Sequence, residues 1–213
     1  LTDKLVFDEM PDVMPEEFRG TGSLWSRVSI YNGDELVKGK WEQAHSIVRN
    51  FMYWLQAIWT HTDATVGGWD QTNTLEGFEQ GNSIIYVFRS AAEAALDTYG
   101  IMLGTDNTAV TLSDYALGVK IAHGEGAGEL RYGDSDCLTP FEDSGDSYTD
   151  LFFVRHFINR SGGLITVEEI GLAVCNEDSG GSIEYFLMAR DLKNFGIADD
   201  ATAIVEYCLR FTV

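Results

Sequence analysis

Four histidines, three cysteines and 34 acidic side chains are the residues of this chain that could do chemistry. His45, His61, His123 and His156 are scattered, and none sits in the H-E-x-x-H spacing that sets two imidazoles on one helix face around a zinc ion. His61-Thr62-Asp63 could ligate a metal, although a solvated loop accounts for it. Cys137, Cys175 and Cys208 form no C-x-x-C pair, so neither a zinc knuckle nor a redox motif is legible. The acidic stretch Asp134, Asp136, Glu142, Asp143, Asp146 and Asp150 offers oxygen ligands to Ca²⁺, but its spacing is not that of an EF-hand loop. Asn159-Arg160-Ser161 is formally a glycosylation sequon, and its asparagine also suits a turn after a strand. No nucleophile elbow, phosphate loop or dinucleotide fingerprint is present. A glycosidase needs two positioned carboxylates, and among so many acids any pair could be nominated. The expectation is a non-enzymatic protein with no catalytic residue, no cofactor-binding residue, no metal site and no cofactor.

Charge narrows the partners. The 14 basic residues against 34 acidic ones give a formal net charge of -20 over 213 residues. A nucleic-acid surface needs clustered Lys and Arg to neutralise phosphates, and a polybasic membrane surface needs the same; neither is expected. The longest apolar-rich window, residues 41–59, is broken by Glu42, His45, Arg49, Asn50 and Gln56, so no membrane span is expected. The first residues show no basic stretch leading into an apolar run, so no secretory leader is read there. Aromatic content of 12% argues against an acidic disordered chain.

These residues need elements to position them. Residues 1–23, with Pro11 and Pro15, read as an extended N-terminal arm, and residues 24–213 as one β-sandwich domain with a sub-boundary near residue 98. Leu24–Tyr31 reads as a strand, Asn32-Gly33 as a type I′ hairpin turn, and residues 35–37 as the return strand. Apolar side chains at three- and four-residue spacing (Trp41, Ala44, Val48, Phe51, Met52, Leu55, Ile58, Trp59) predict a long amphipathic helix over 41–59. A polar loop follows over 60–82, in which Trp69 and Phe78 could form a sugar-binding platform. Residues 83–88 read as a strand and 90–97 as a short helix. Short strands are expected at 101–103 and 129–132, an acidic loop over 134–150, and four strands at about 149–159, 164–175, 183–191 and 201–213. Strands at this spacing predict a mainly β fold, an antiparallel β-sandwich or jelly roll with the one helix packed on it.

The last strand alternates cleanly. Ala203, Val205, Tyr207, Leu209, Phe211 and Val213 share one face, and Glu206, Cys208, Arg210 and Thr212 the other, as in a half-buried antiparallel strand. Centring the preceding hairpin near Ser179–Gly180 sets Ile170 opposite Ala189, Leu172 opposite Leu187 and Glu169 opposite Arg190, an opposite-charge pair. Gly171 then lies under Met188 and Ala173 under Phe186.

The run Phe153 to Leu172, with Arg155, Phe157, Asn159, Ser161, Gly163, Val167 and Glu169, is followed by Phe186-Leu-Met-Ala-Arg190-Asp191 and Val205-Glu-Tyr207-Cys-Leu209. Together with Gly100–Thr105, Asp114–Leu117 and Ile121–Gly124 it resembles the C-terminal half of virion proteins of tailed bacteriophages. The resemblance covers about residues 99–213. It implies a structural component of a ring, collar, tail or surface element, assembled in the host cytoplasm by contacts with copies of itself and with other virion proteins. The alternatives are a lectin-like module that binds a host-surface glycan, and a self-assembling extracellular filament subunit whose arm completes a neighbour's sheet.

Overall fold

The computed structural model describes residues 23–44, 47–60, 67–78, 88–138, 140–143, 148–178 and 181–212. In chain order the elements are β1 (Ser23–Asn32), β2 (Glu35–Val37), β3 (Glu42–Gln43), α1 (Arg49–Thr60), β4 (Gly67–Trp69), β5 (Leu75–Gly77), β6 (Gly100–Gly104), β7 (Arg131–Cys137), β8 (Phe141–Asp143), β9 (Tyr148–Ile158), β10 (Ile165–Glu177), β11 (Ile183–Ile197) and β12 (Thr202–Thr212). The molecule is mainly β and antiparallel, with a sandwich-like arrangement. One sheet has the order β2-β1-β12-β9-β7, with β3 added to β1 and β8 to β9; a second has the order β11-β10-β6; β4 and β5 form a small ribbon.

The principal core lies between the two larger sheets. Ala203, Val205, Tyr207 and Phe157 from the first meet Ile101, Leu103, Ile170 and Leu172 from the second. Non-local strand pairing brings these together: the first described strand, β1, runs beside the last, β12, from Ser23↔Arg210 to Tyr31↔Thr202. Because β12 is central, its second face is covered too. Ile204, Glu206, Cys208 and Arg210 are all buried, beneath a cluster built by Trp25, Trp41 and Phe152. The expected half-buried strand is therefore buried on both sides, and among the described residues of its apolar row only Phe211 is exposed.

The helix is shorter than its periodicity predicts. It begins at Arg49 and spans twelve residues. Residues 42–43 instead pair with Trp25 and Ser26 of β1, Ala44 N–H bonds Leu24 O, and Trp41 is buried against Phe152. Edge pairing and burial of one tryptophan outweigh helical spacing there. Met52, on the expected apolar stripe, is exposed, as is Tyr53 beside it, while Phe51 and Trp54 turn toward Phe88 and Phe186. Residues 90–97 form no helix either. Ala95 adopts φ 70°, and the segment runs along the edge of β7, where Ala95 N–H bonds Tyr132 O and Ser135 N–H bonds Ala92 O.

Three further expectations change. The hairpin loop is Gly33-Asp34, because Asn32 pairs with Glu35; positive φ falls on Gly33 alone, the pattern of a II′ turn and not of I′. The 134–150 stretch is no continuous loop, since β7 runs to Cys137, β8 occupies 141–143 and β9 begins at Tyr148. Strand β11 continues to Ile197, beyond its expected end at residue 191. The strand expected at 83–88 lies outside the described residues except for Phe88, which has φ 52°.

Candidate functional site

The ionisable residues of the 153–172 and 186–191 runs converge on the framework. Arg155, on β9, is fully buried. Its guanidinium donates to the carbonyl oxygens of Gly133 (2.8 Å), Tyr99 (3.1 Å), Ile101 (3.0 Å) and Leu96 (2.5 Å), and lies 4.8 Å from the Tyr132 ring centre. One side chain of the larger sheet thus satisfies outward carbonyls of β6 in the smaller sheet and of the non-helical 90–97 segment. Burial lowers its pKa to about 10, so it remains charged at neutral pH. Its donors are spent on backbone, which leaves little capacity for an external anion.

A second cluster sits on the outer face of the smaller sheet. Arg190 donates Nε to Glu169 (2.7 Å), Nη1 to Asp114 (2.8 Å) and Nη2 to Asp106 (2.9 Å). Glu169, fully buried, also accepts the backbone N–H groups of Asp106, Gly118 and Val119. Burial alone would lower the Arg190 pKa, but the Asp114 and Glu169 carboxylates outweigh it and raise it. The cluster clamps the 105–119 loop to the sheet. Two more buried pairs close the outer face of the larger sheet: Arg27 with Glu206 (2.6 Å) and Arg210 with Asp150 (2.6 Å).

The sequence candidates disperse. Asp150 is committed to Arg210, and Asp134 accepts Ala94 N–H; Asp146 lies outside the described residues. Among the described residues no group of three or more His, Cys, Asp or Glu could hold a metal ion. Phe78 is fully buried against Phe88 and Phe186, so it cannot share a sugar platform with Trp69, whose backbone is held by Asn50. Asn159 is fully buried, with its amide on Gly163 O and Ile197 O and its carbonyl on Ser161 N–H; it pins two turns and cannot accept a glycan in the folded chain. His123 Nδ1 accepts Tyr132 N–H at 3.1 Å, and His156 is buried. His45 and His61-Thr62-Asp63 lie outside the described residues. Cys137 is exposed, whereas Cys175 and Cys208 are buried.

What stays open is a groove at one end of the sandwich, which sequence reasoning did not single out. It has a volume of about 450 Å³ and is lined by Thr105, Ala127, Gly128 and the run 161–166. No charged side chain lines it. An added Cβ at Gly128, Gly162 or Gly163 would meet no atom within 4 Å. The only cue was the glycine-rich spacing of 124–128 and 162–163, which reads as two turns and not as two walls of one groove. Among the described residues no helix is long and apolar enough to cross a membrane. Comparison with protein families, with curated proteins and with solved structures finds no match to this chain.

Proposed function

We propose that the chain is a non-enzymatic structural subunit of a tailed-bacteriophage virion. In this reading it assembles in the host cytoplasm by contacts with copies of itself and with other virion proteins, into a ring, collar, tail or surface element. One observation carries the reading. The polar residues of the phage-like run, Arg155, Asn159, Glu169 and Arg190, all hold strands to loops inside the fold. A run that specifies a rigid framework suits a subunit that works by shape and contact.

The charge distribution supports the same reading. Among the described residues four arginines (Arg27, Arg155, Arg190 and Arg210) are buried together with five acids (Asp70, Asp150, Glu169, Asp191 and Glu206), so the acid excess of the composition stays at the surface. Such a surface keeps copies soluble and apart except where uncharged patches meet.

The test has two arms. Electron microscopy and sedimentation of the purified chain should reveal closed or stacked oligomers. Mass spectrometry of phage particles purified from a lysate of the host should find the chain at a fixed ratio to the other virion proteins. A chain that stays monomeric at high concentration and is absent from particles overturns the reading.

A further inference from the structure

Strand β6 pairs with β10 only from Gly104↔Glu169 to Gly100↔Ala173. Beyond Gly104 the chain turns away: Thr105 N–H bonds Val119 O, and Asp106 N–H bonds Glu169 Oε1. Strand β10 itself starts four residues earlier, at Ile165, and on its other side stays paired with β11 to Ile165↔Ile197. The lane beside residues 165–168 is therefore vacant among the described residues; the uncharged groove opens onto its first part, at Ile165 and Thr166, and β10 bulges at Glu168 where the lane ends. Leu164 is 69% exposed at its mouth, while Ile165 and Val167 point into the core. An open strand edge with a regular core beneath it is a template for an added strand.

We propose that this lane receives an extended segment of a second copy of the chain, residues 4–8 of its N-terminal arm. The inference rests on the self-assembly proposed above. Two features select this occupant. First, Lys4-Leu5-Val6-Phe7-Asp8 combines β-forming residues, and Pro11 and Pro15 confine a strand to the part before them. The lining of the groove carries no acid, Glu168 standing beyond it at the end of the lane, so it accepts the segment despite the net charge of -20 on each copy. Second, the ends are opposed. Ser23 lies opposite Arg210, whereas the groove lies at the other end, where Ile158 pairs with Thr202 and the 159–164 turn follows. Nine steps of β1 separate these ends by about 30 Å. The chain thus enters β1 at the end facing away from its own groove, the geometry of head-to-tail contacts that close into rings or continue as filaments.

The experiment is intermolecular trapping in the full chain, on a Cys137→Ser background that removes the exposed thiol. One copy carries Val6→Cys, the other Thr166→Cys, and a short bis-maleimide joins them. The expected result is a mixed dimer at least tenfold more abundant than with a Lys40→Cys partner. Equal yields for the two partners overturn the proposal. So does efficient, concentration-independent cross-linking inside a Val6→Cys/Thr166→Cys double variant, which would make the chain's own arm the occupant. Hydrogen exchange on the unsubstituted chain gives a second measurement. Amides within 165–168 should gain at least tenfold protection as concentration rises, and no gain overturns the proposal. Particles that contain the chain while both measurements fail would leave the virion role standing and remove only this contact. Trapping without incorporation into particles would do the reverse.

Discussion

Arg190 reaches Glu169 diagonally across the ladder. The residue facing Arg190 is Gly171, and the residue facing Glu169 is Leu192. Next to the hairpin Glu177 already pairs with Ile183, one residue off the expected centring, and a bulge between Leu172 and Ala173 adds a second shift before Glu169 is reached. The ion pair forms nonetheless, at 2.7 Å, because a long side chain spans the diagonal between neighbouring pairs. A Cβ at Gly171 would come within 2.8 Å of Leu117 Cδ2 and 3.0 Å of Leu187 Cδ1. Gly171→Val should therefore destabilise by about 1–3 kcal/mol through overpacking, read as a lower denaturant midpoint at unchanged slope.

Glycine 104 is a sharper case. An added Cβ would lie 2.3 Å from Glu169 Oε1, the oxygen that accepts Asp106 and Val119 N–H. Gly104→Ala should displace that carboxylate and free the 105–119 loop before the sandwich unfolds. The expected sign is rapid proteolysis confined to that loop. A loop as resistant as the parent's contradicts the clamp.

The strands of the C-terminal half were legible because alternation and β-branched runs report directly on a two-sheet core: β9, β10 and β12 lie within two residues of their expected bounds. The contact of Glu169 with Arg190 was legible as well, but its register was not, since bulges leave no compositional mark. The helix was overextended because Trp41, Ala44 and Val48 happen to continue its spacing, while the Trp41 cluster, the β1 edge and packing on Met102 and Leu187 claim them in turn. The sugar platform failed for a related reason. Phe78 stands in a polar stretch, yet tertiary packing on Phe186 draws it fully inside. The groove was invisible because Thr105, Gly128 and Leu164 are far apart in sequence and unremarkable in type.

Arg155 should resist conservative replacement. Lysine keeps the charge but cannot reproduce a planar fork aimed at several carbonyls, and it would leave some of Tyr99 O, Ile101 O and Leu96 O unsatisfied. Arg155→Lys should cost about 2–4 kcal/mol, taking 1–3 kcal/mol for each orphaned group and allowing partial rescue by water. Chemical denaturation measures it, and a loss under about 0.5 kcal/mol would mean that these bonds add little.

Arg210 and Asp150 are each only 1% exposed, with the guanidinium carbon 3.8 Å from the Tyr148 ring centre. Removing one partner leaves an uncompensated buried charge. Asp150→Asn should therefore cost about 3–5 kcal/mol, whereas the double variant Asp150→Leu/Arg210→Met should lie near the parent in stability. A double variant as unstable as the single one would show that the pair does more than neutralise itself.

Acid and neutral pH should expose opposite electrostatic contributions. Burial alone would raise the Asp114 carboxyl, but hydrogen bonds from Thr111 and Arg190 outweigh it and hold the pKa below the usual value. Asp97 is likewise lowered, burial being outweighed by His123 N–H and Lys120. A lowered carboxylate contributes stability that is present above its unfolded pKa, near 3.9, and lost as pH falls through the folded value. The fold should thus weaken below about pH 4, and Asp114→Asn should flatten that limb. Glu184 has the reverse sign: burial and the neighbouring Asp70, Glu76 and Asp178 raise its pKa. Its ionised form strains the fold at neutral pH, and protonation relieves the strain. Glu184→Gln should therefore raise the melting temperature at pH 7 and make little difference at pH 3. A gain of equal size at both values would rule out charge as its cause.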